Sequence, residues 1–145
     1  MLFDSWGGIV SPGDFRDYPL RYARQIIEHL HARKPGVPVI YFVNGCAPYL
    51  DDYASSGADV LGVDWRVGID EVRRRVGDGV ALQGNLDPGA LFASEAEIRT
   101  RVADILARAG STGHVFNLGH GVLPETDPER VRAMITAVRE LSQKA

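Results

Sequence analysis

The sequence predicts an α/β fold of parallel β/α units in one domain, residues 1–145. Three observations carry this reading. Short aliphatic and β-branched runs alternate with stretches of helical periodicity from one end of the chain to the other. The links between them are short and punctuated by Gly, Pro, Asp and Asn. Strands separated by helices pair in parallel, because the crossover returns each strand in the same direction.

The elements follow in order. Met1–Phe3 is the first strand, and it ends at Asp4-Ser5-Trp6-Gly7-Gly8. Leu20, Ala23, Ile26, Ile27 and Leu30 then recur at helical spacing, and Pro35-Gly36 stops that helix. Val37–Val43 is the second strand, with Asn44-Gly45-Cys46 beyond it and a short helix after Pro48. Val60–Val63 is the third, followed by Asp64-Trp65 and a short helix after Gly68. Val80–Gln83 is the fourth, followed by Gly84-Asn85, and Asp87-Pro88 reads as a helix cap. Ser94-Glu95-Ala96-Glu97 is a capping box for a helix carrying Ile98, Val102, Ile105, Leu106 and Ala109, which Gly110 ends. His114–Phe116 is the fifth strand. The last helix carries Val131, Met134, Ile135, Val138 and Leu141. It opens either as a capping box from Thr126 or with Asp127 as cap and Pro128 as first residue.

Two layouts accommodate these units: an open doubly wound sheet, or part of a (β/α)8 barrel. A complete barrel takes about 250 residues, and 145 residues supply about five units. Because Met1 falls inside a strand, the chain reads as a piece of a longer protein. A barrel cut in this way leaves two strand edges unpaired. Val39, Tyr41, Val60, Val63, Val80, Leu82 and Val115 are then expected to face inward and to lose their opposite wall.

Composition narrows the function. A hydrophobic content of 45% and a charged content of 24% are those of an ordinary globular domain. A net charge of -3 provides no electrostatic footprint for nucleic acid. The single cysteine, Cys46, rules out an internal disulfide and argues against a cysteine-rich zinc site. No apolar run approaches the roughly 18 residues of a membrane span. No basic segment leads into an apolar core at the N-terminus, so the cytoplasm is the expected compartment.

In either layout ligands bind beyond the carboxyl ends of the strands. All five of those ends carry glycine or short polar residues, which marks a binding face. His120 stands out there, because glycines on both sides let backbone approach a ligand and its charge can change near neutral pH. Structural readings compete at other positions. Asp64 fits a turn cap, Asn85 and Asn117 fit ties to loop backbone, and Cys46 fits a small packed residue. His114 reads as structural, His29 and His31 as solvated, and Arg73, Arg74 and Arg75 as a solvated helix face. No phosphate loop, dinucleotide fingerprint or nucleophile elbow occurs.

Four stretches together carry a resemblance. They are Phe3-Asp4-Ser5-Trp6-Gly7-Gly8, Leu61-Gly62-Val63-Asp64-Trp65, Leu82-Gln83-Gly84-Asn85-Leu86-Asp87-Pro88 and Asn117-Leu118-Gly119-His120-Gly121. In this order they resemble the second half of the uroporphyrinogen decarboxylase family over essentially the whole chain. The resemblance implies about the last five units of a (β/α)8 TIM-type barrel. It implies a carboxy-lyase without metal or organic cofactor, which converts the four acetate side chains of uroporphyrinogen III to methyl groups and so yields coproporphyrinogen III. It also implies that Ser5 lines the cleft and that His120 contacts substrate, as a catalytic and substrate-binding residue. The family's pyrrole-binding aspartate, cleft tyrosine and carboxylate-neutralising arginines belong to the other half, so no residue here takes those roles. A homodimer or association with an N-terminal half is the expected assembly. Two alternatives stand beside this reading. One is a non-catalytic truncated homologue or folding fragment. The other is the zinc-dependent corrinoid or thiol methyltransferase branch, which would need His-x-Cys where this chain has Val43-Asn44-Gly45, and a later cysteine where it has Gly119-His120-Gly121.

Overall fold

The computed structural model describes residues 1–142. Five strands form one sheet: β1 (Leu2–Asp4), β2 (Ile40–Val43), β3 (Val60–Gly62), β4 (Ala81–Leu86) and β5 (His114–Leu118). The helices are α1 (Pro12–Phe15), α2 (Arg21–Arg33), α3 (Leu50–Ala54), α4 (Ile69–Val76), α5 (Glu95–Ala109) and α6 (Pro128–Ser142). Every strand pair is parallel, and the strand order follows the chain, β1-β2-β3-β4-β5. That order separates the two layouts. A doubly wound sheet reverses its strand order at a switch point. Here there is no reversal, as in an arc of a (β/α)8 barrel.

The register sorts side chains between two faces, because in-register residues of a parallel sheet share a face and neighbours along a strand alternate. Leu2, Tyr41, Leu61, Leu82 and His114 form one row. Tyr41, Leu61 and Leu82 belong to the main hydrophobic cluster, with Ile27, Tyr53, Val72, Ile98 and Val102 from the helices. Phe3, Phe42, Gly62, Gln83 and Val115 form the row on the other, concave face. There Phe3 is 71% exposed and Val115 46% exposed. Val115 thus faces inward without an opposite wall, as expected, but for other residues the expectation is corrected. Val39, Tyr41 and Leu82 lie in the helix-covered core, fully served by the helices of this chain. The unpartnered apolar surface sits instead at the two edges of the concave face.

Helix boundaries follow their local chemistry. Ser11 caps α1 by accepting from the Asp14 N–H at 3.2 Å, and Pro12 takes the first helical position. The helical path continues through Arg16–Leu20 as a π turn containing Pro19 before α2 begins. This entry, upstream of Leu20, carries no apolar periodicity of its own and is invisible to a search for a helical stripe. Ser94 caps α5 as its sequence indicates. At α6 the choice falls on Asp127: its Oδ1 accepts from the Glu129 N–H at 2.9 Å, and Pro128 opens the helix. The second strand starts later than its apolar run, at Ile40. Val37 is 57% exposed, and Pro38, which lacks an N–H, separates it from the ladder.

Besides Arg75, which donates to the Ala47 carbonyl at 3.2 Å and to Asp51 Oδ2 at 3.0 Å, two side chains expected to be solvated are engaged at strand entries. His31 Nε2 lies 2.9 Å from Asp59 Oδ2, and the same oxygen accepts from the Val39 N–H at 2.7 Å. Arg73 donates to the carbonyls of Gly77, Val80 and Gly113 at 2.7–2.9 Å, tying α4 to the starts of β4 and β5. Both corrections have one cause: a helix face that looks polar in sequence lies beside strand-entry loops whose carbonyls and carboxylates need donors. Among the described residues no helix is long and apolar enough to cross a membrane.

Candidate active site

The loops at the carboxyl ends of the strands converge around one buried carboxylate. Asp64, immediately beyond β3, has no exposed surface. Its Oδ2 accepts from the N–H groups of Gly45 and Cys46, beyond β2, and its Oδ1 accepts from the Arg66 N–H at 2.8 Å. A buried carboxylate needs such donors, since desolvating it unpaired is costly. The Arg66 guanidinium adds a contact of 3.4 Å to Asp64 and donates to Asn44 Oδ1 at 2.7 Å. Asp64 thus binds the second loop to the third. Asn85, near the carboxyl end of β4, donates through Nδ2 to the carbonyls of Asp64 and Val67 at 2.8 and 2.6 Å. Asp4, at the end of β1, accepts from the N–H groups of Trp6 and Gly7 at 3.2 and 2.6 Å. Asp87 caps the turn that follows β4, accepting from the Gly89 N–H at 2.8 Å.

Two glycines allow these loops to close on one another. A Cβ on Gly8 would stand 2.0 Å from the Asn44 carbonyl oxygen. A Cβ on Gly119 would stand 2.5 Å from the Trp65 backbone nitrogen. The glycines flanking the strand ends therefore serve loop-to-loop contact, and Gly119 sets the His120 loop directly on Trp65.

The concave face holds a cavity of about 450 Å³. It is lined by Phe3, Ser5, Phe42, Val63, Gln83 and His120, with Met1, Asn117 and the Leu118–Val122 loop at its rim. Ser5 and His120, nominated from opposite ends of the sequence, share this cavity. His120 is exposed, and its ring sits edge-on to Phe42 at 6.0 Å and to Trp65 at 6.2 Å. Phe3 in turn lies 6.2 Å from Phe42. The result is an apolar, aromatic floor with a hydroxyl at one side and an imidazole at the other. Such a surface accommodates a flat or ring-bearing ligand with polar substituents.

Other positions lie away from it. Asn117 reaches the cavity rim, while Asn85 and Asp64 work among the loops behind. His114 is half-buried at the entry of β5, with Nε2 2.7 Å from the Gly84 carbonyl, and burial holds its pKa below the ordinary histidine value. Cys46 is fully buried, and burial pushes its thiol up to about 12. A thiol held protonated is neither a ready nucleophile nor a ready metal ligand. Among the described residues no three His, Cys, Asp or Glu side chains converge to hold a metal ion. Phe42 and Gln83 escaped the sequence reading as cavity residues. They occupy strand interiors, where a buried residue and a cleft residue have the same pattern. Only the alternation of faces, set by the register, tells them apart.

A second cavity, of about 530 Å³, lies outside the sheet between the Trp65–Gly68 loop and α5. Its charged groups are largely mutually paired: Arg108 with Asp70 and Asp104, Arg101 with Glu97. Such pairing leaves little net charge to attract a ligand.

Residues 1–141 match the family model described as "Uroporphyrinogen decarboxylase (URO-D)". A uroporphyrinogen decarboxylase of Hydrogenovibrio crunogenus is 51% identical over 99% of the chain. Those of Neisseria gonorrhoeae and Aeromonas salmonicida are 49% and 48% identical over 99% and 98% of it. The chain spans 41% of the length of each of these relatives. In structure it is similar to a methyltransferase from Methanosarcina mazei, with a TM-score of 0.81 at 21% identity, over 95% of this chain and 40% of that one. At that identity the likeness is one of fold alone.

Proposed function

The chain belongs to the uroporphyrinogen decarboxylase family, and from that premise we propose that it forms one wall of the substrate cleft of a uroporphyrinogen decarboxylase. The reading takes the chain as the C-terminal part of that enzyme, about the last five units of its barrel. The observation that carries it is the convergence of Ser5 and His120 on one aromatic-floored cavity.

The reaction asks for little covalent chemistry from the protein. Each acetate side chain loses its carboxylate as carbon dioxide, the electrons of the broken bond passing into a pyrrole ring that has taken up a proton. A proton then fills the vacated carbon and the ring gives back the proton it took up, so that CH2–COO⁻ plus H⁺ becomes CH3 plus CO2. Phe3 and Phe42 would pack against the macrocycle. The Ser5 hydroxyl would donate to a substrate carboxylate. The His120 imidazole would hydrogen-bond either a carboxylate or the pyrrole carrying the developing charge, a placement whose value lies in preorganisation. Groups able to neutralise the remaining carboxylates and to stabilise the pyrrole cation are sparse in this cavity, so the complete reaction needs residues from outside this chain. A cytoplasmic setting and association through the edges of the sheet belong to the same reading, either with a second copy or with an N-terminal half.

The test is turnover of uroporphyrinogen III by this chain alone and within the complete enzyme. The chain alone is expected to release no carbon dioxide above background. In the complete enzyme, His120→Ala is expected to lower turnover roughly 10- to 100-fold, the loss of one charge-assisted hydrogen bond. Because His120 is exposed, the melting temperature should hold. An unchanged rate would remove His120 from the chemistry. Decarboxylation by the isolated chain would show that its own residues suffice.

A further inference from the structure

Trp65 and Arg66 have no part in the cavity wall that contains Ser5, yet Trp65 meets His120 and Arg66 meets Trp65. The Arg66 guanidinium lies 4.0 Å above the centre of the Trp65 ring system, inside the range of a cation–π contact. The same guanidinium is held from behind, at 2.7 Å by Asn44 and at 3.4 Å by the buried Asp64. Trp65 meets the His120 ring at 6.2 Å and 80°, an edge-to-face arrangement. His120 also meets Phe42, at 6.0 Å and 68°. Below, Gly119 leaves no room for even a methyl group above the Trp65 backbone.

We propose that Trp65 and Arg66 are positioning residues for His120: Arg66, anchored by Asp64 and Asn44, holds the Trp65 indole, and the indole and Phe42 clamp the imidazole between them in one orientation. The clamp answers a specific problem. His120 is exposed, in a loop between two glycines, and no hydrogen bond to its ring holds it among the described residues. A side chain in that setting samples several staggered rotamers unless neighbours restrict it. Two aromatic edges supply the restriction without engaging either ring nitrogen, so both stay available to a ligand. The charge anchoring the stack is itself partnered, because Asp64 lies beneath it, so the clamp adds little net field to the cavity. This inference rests on His120 facing the ligand, as the functional reading has it, but its test uses no substrate.

The experiment is side-chain NMR of the histidines in the unliganded chain. The χ1 couplings of His120 should report one rotamer in the parent protein and averaged values in Trp65→Ala. Trp65→Phe should restore most of the restriction, because a ring edge remains. Arg66→Gln, which keeps the aliphatic stem but removes the cation, should give partial averaging, and Gly119→Ala should shift the His120 ring signals by lifting the loop. His114, on the far end of β5, is the internal control: its signals should hold in every variant. A single His120 rotamer in Trp65→Ala, with His114 unchanged, overturns the proposal. If Trp65→Ala fails to fold, Arg66→Gln decides at a half-exposed position, and single-rotamer, parent-like couplings there overturn the proposal equally. An enzyme inactive for other reasons would leave these couplings untouched, so the two readings fail separately.

Discussion

Asp64 and Arg66 bind each other twice: the carboxylate accepts from the Arg66 backbone N–H at 2.8 Å and meets its guanidinium at 3.4 Å. With the Gly45 and Cys46 N–H groups on Oδ2, the buried carboxylate ties the loop after β2 to the loop after β3, and the Asp64 backbone carbonyl accepts from Asn85 of β4. Asp64→Asn would point an amide NH2 at groups that are all donors. We expect a loss of about 1.5–3 kcal/mol, the cost of a hydrogen bond to a charged group. That corresponds to a melting temperature lower by ~2–4 °C for each kcal/mol. An unchanged thermal transition would mean that the loops hold without this carboxylate.

Arg73 and Arg74 are adjacent in sequence but differ in role. The Arg73 side chain is only 18% exposed and donates to three carbonyls, whereas Arg74 lies in solvent. Arg73→Met is expected to destabilise by about 1–3 kcal/mol, since it orphans acceptors that the native fold satisfies. Arg74→Met should stay within about 0.5 kcal/mol of the parent. Equal midpoints in urea for the two variants would contradict the assigned contacts.

His114 makes stability depend on pH in a definite direction. Burial lowers its folded-state pKa below the ordinary 6.5. The unfolded chain then binds the proton more readily, so this group costs nothing above about pH 6.5 and removes stability as pH falls through that value toward its folded pKa. Replacing it with Gln should flatten the loss of stability between neutral pH and about pH 5.5. Parallel pH profiles for parent and variant in urea titrations would show that another group is responsible.

The exposed apolar residues predict association. Met1, Phe3, Val115, Val122 and Leu123 are each 44–71% exposed, and β1 and β5 present unpaired edges. Edges and patches of this kind recruit partners. Light scattering should find the mean mass rising with concentration. A mass of 15.8 kDa that holds at high concentration, with a sharp thermal transition, would show the open sheet to be self-sufficient.

Much of this architecture was legible in the residues. The five strands, the Ser94 and Asp87 caps and the glycine-flanked candidate His120 rest on local signals, because caps, breakers and periodicity act within a few residues, whereas Ser5 was nominated only through the family resemblance. The entry to α2 through Pro19 had no such signal. Nor did the engagement of His31 with Asp59 or of Arg73 with three carbonyls, since each joins segments separated in sequence.

By itself, then, the sequence determined which segments are strand and helix, and which end of each strand bears glycine and polar residues. Tertiary structure decided which strand face is which. It placed Tyr41 and Leu82 in the core and left Phe3 and Val115 on the open concave face. The physical reason is that a strand's alternation marks two faces without saying which one the helices will cover. Pairing register and crossover hand settle that choice, and they exist only once the strands are side by side. The convergence of Ser5, Phe42 and His120 on one cavity, with Trp65 and Arg66 behind it, follows from that same register.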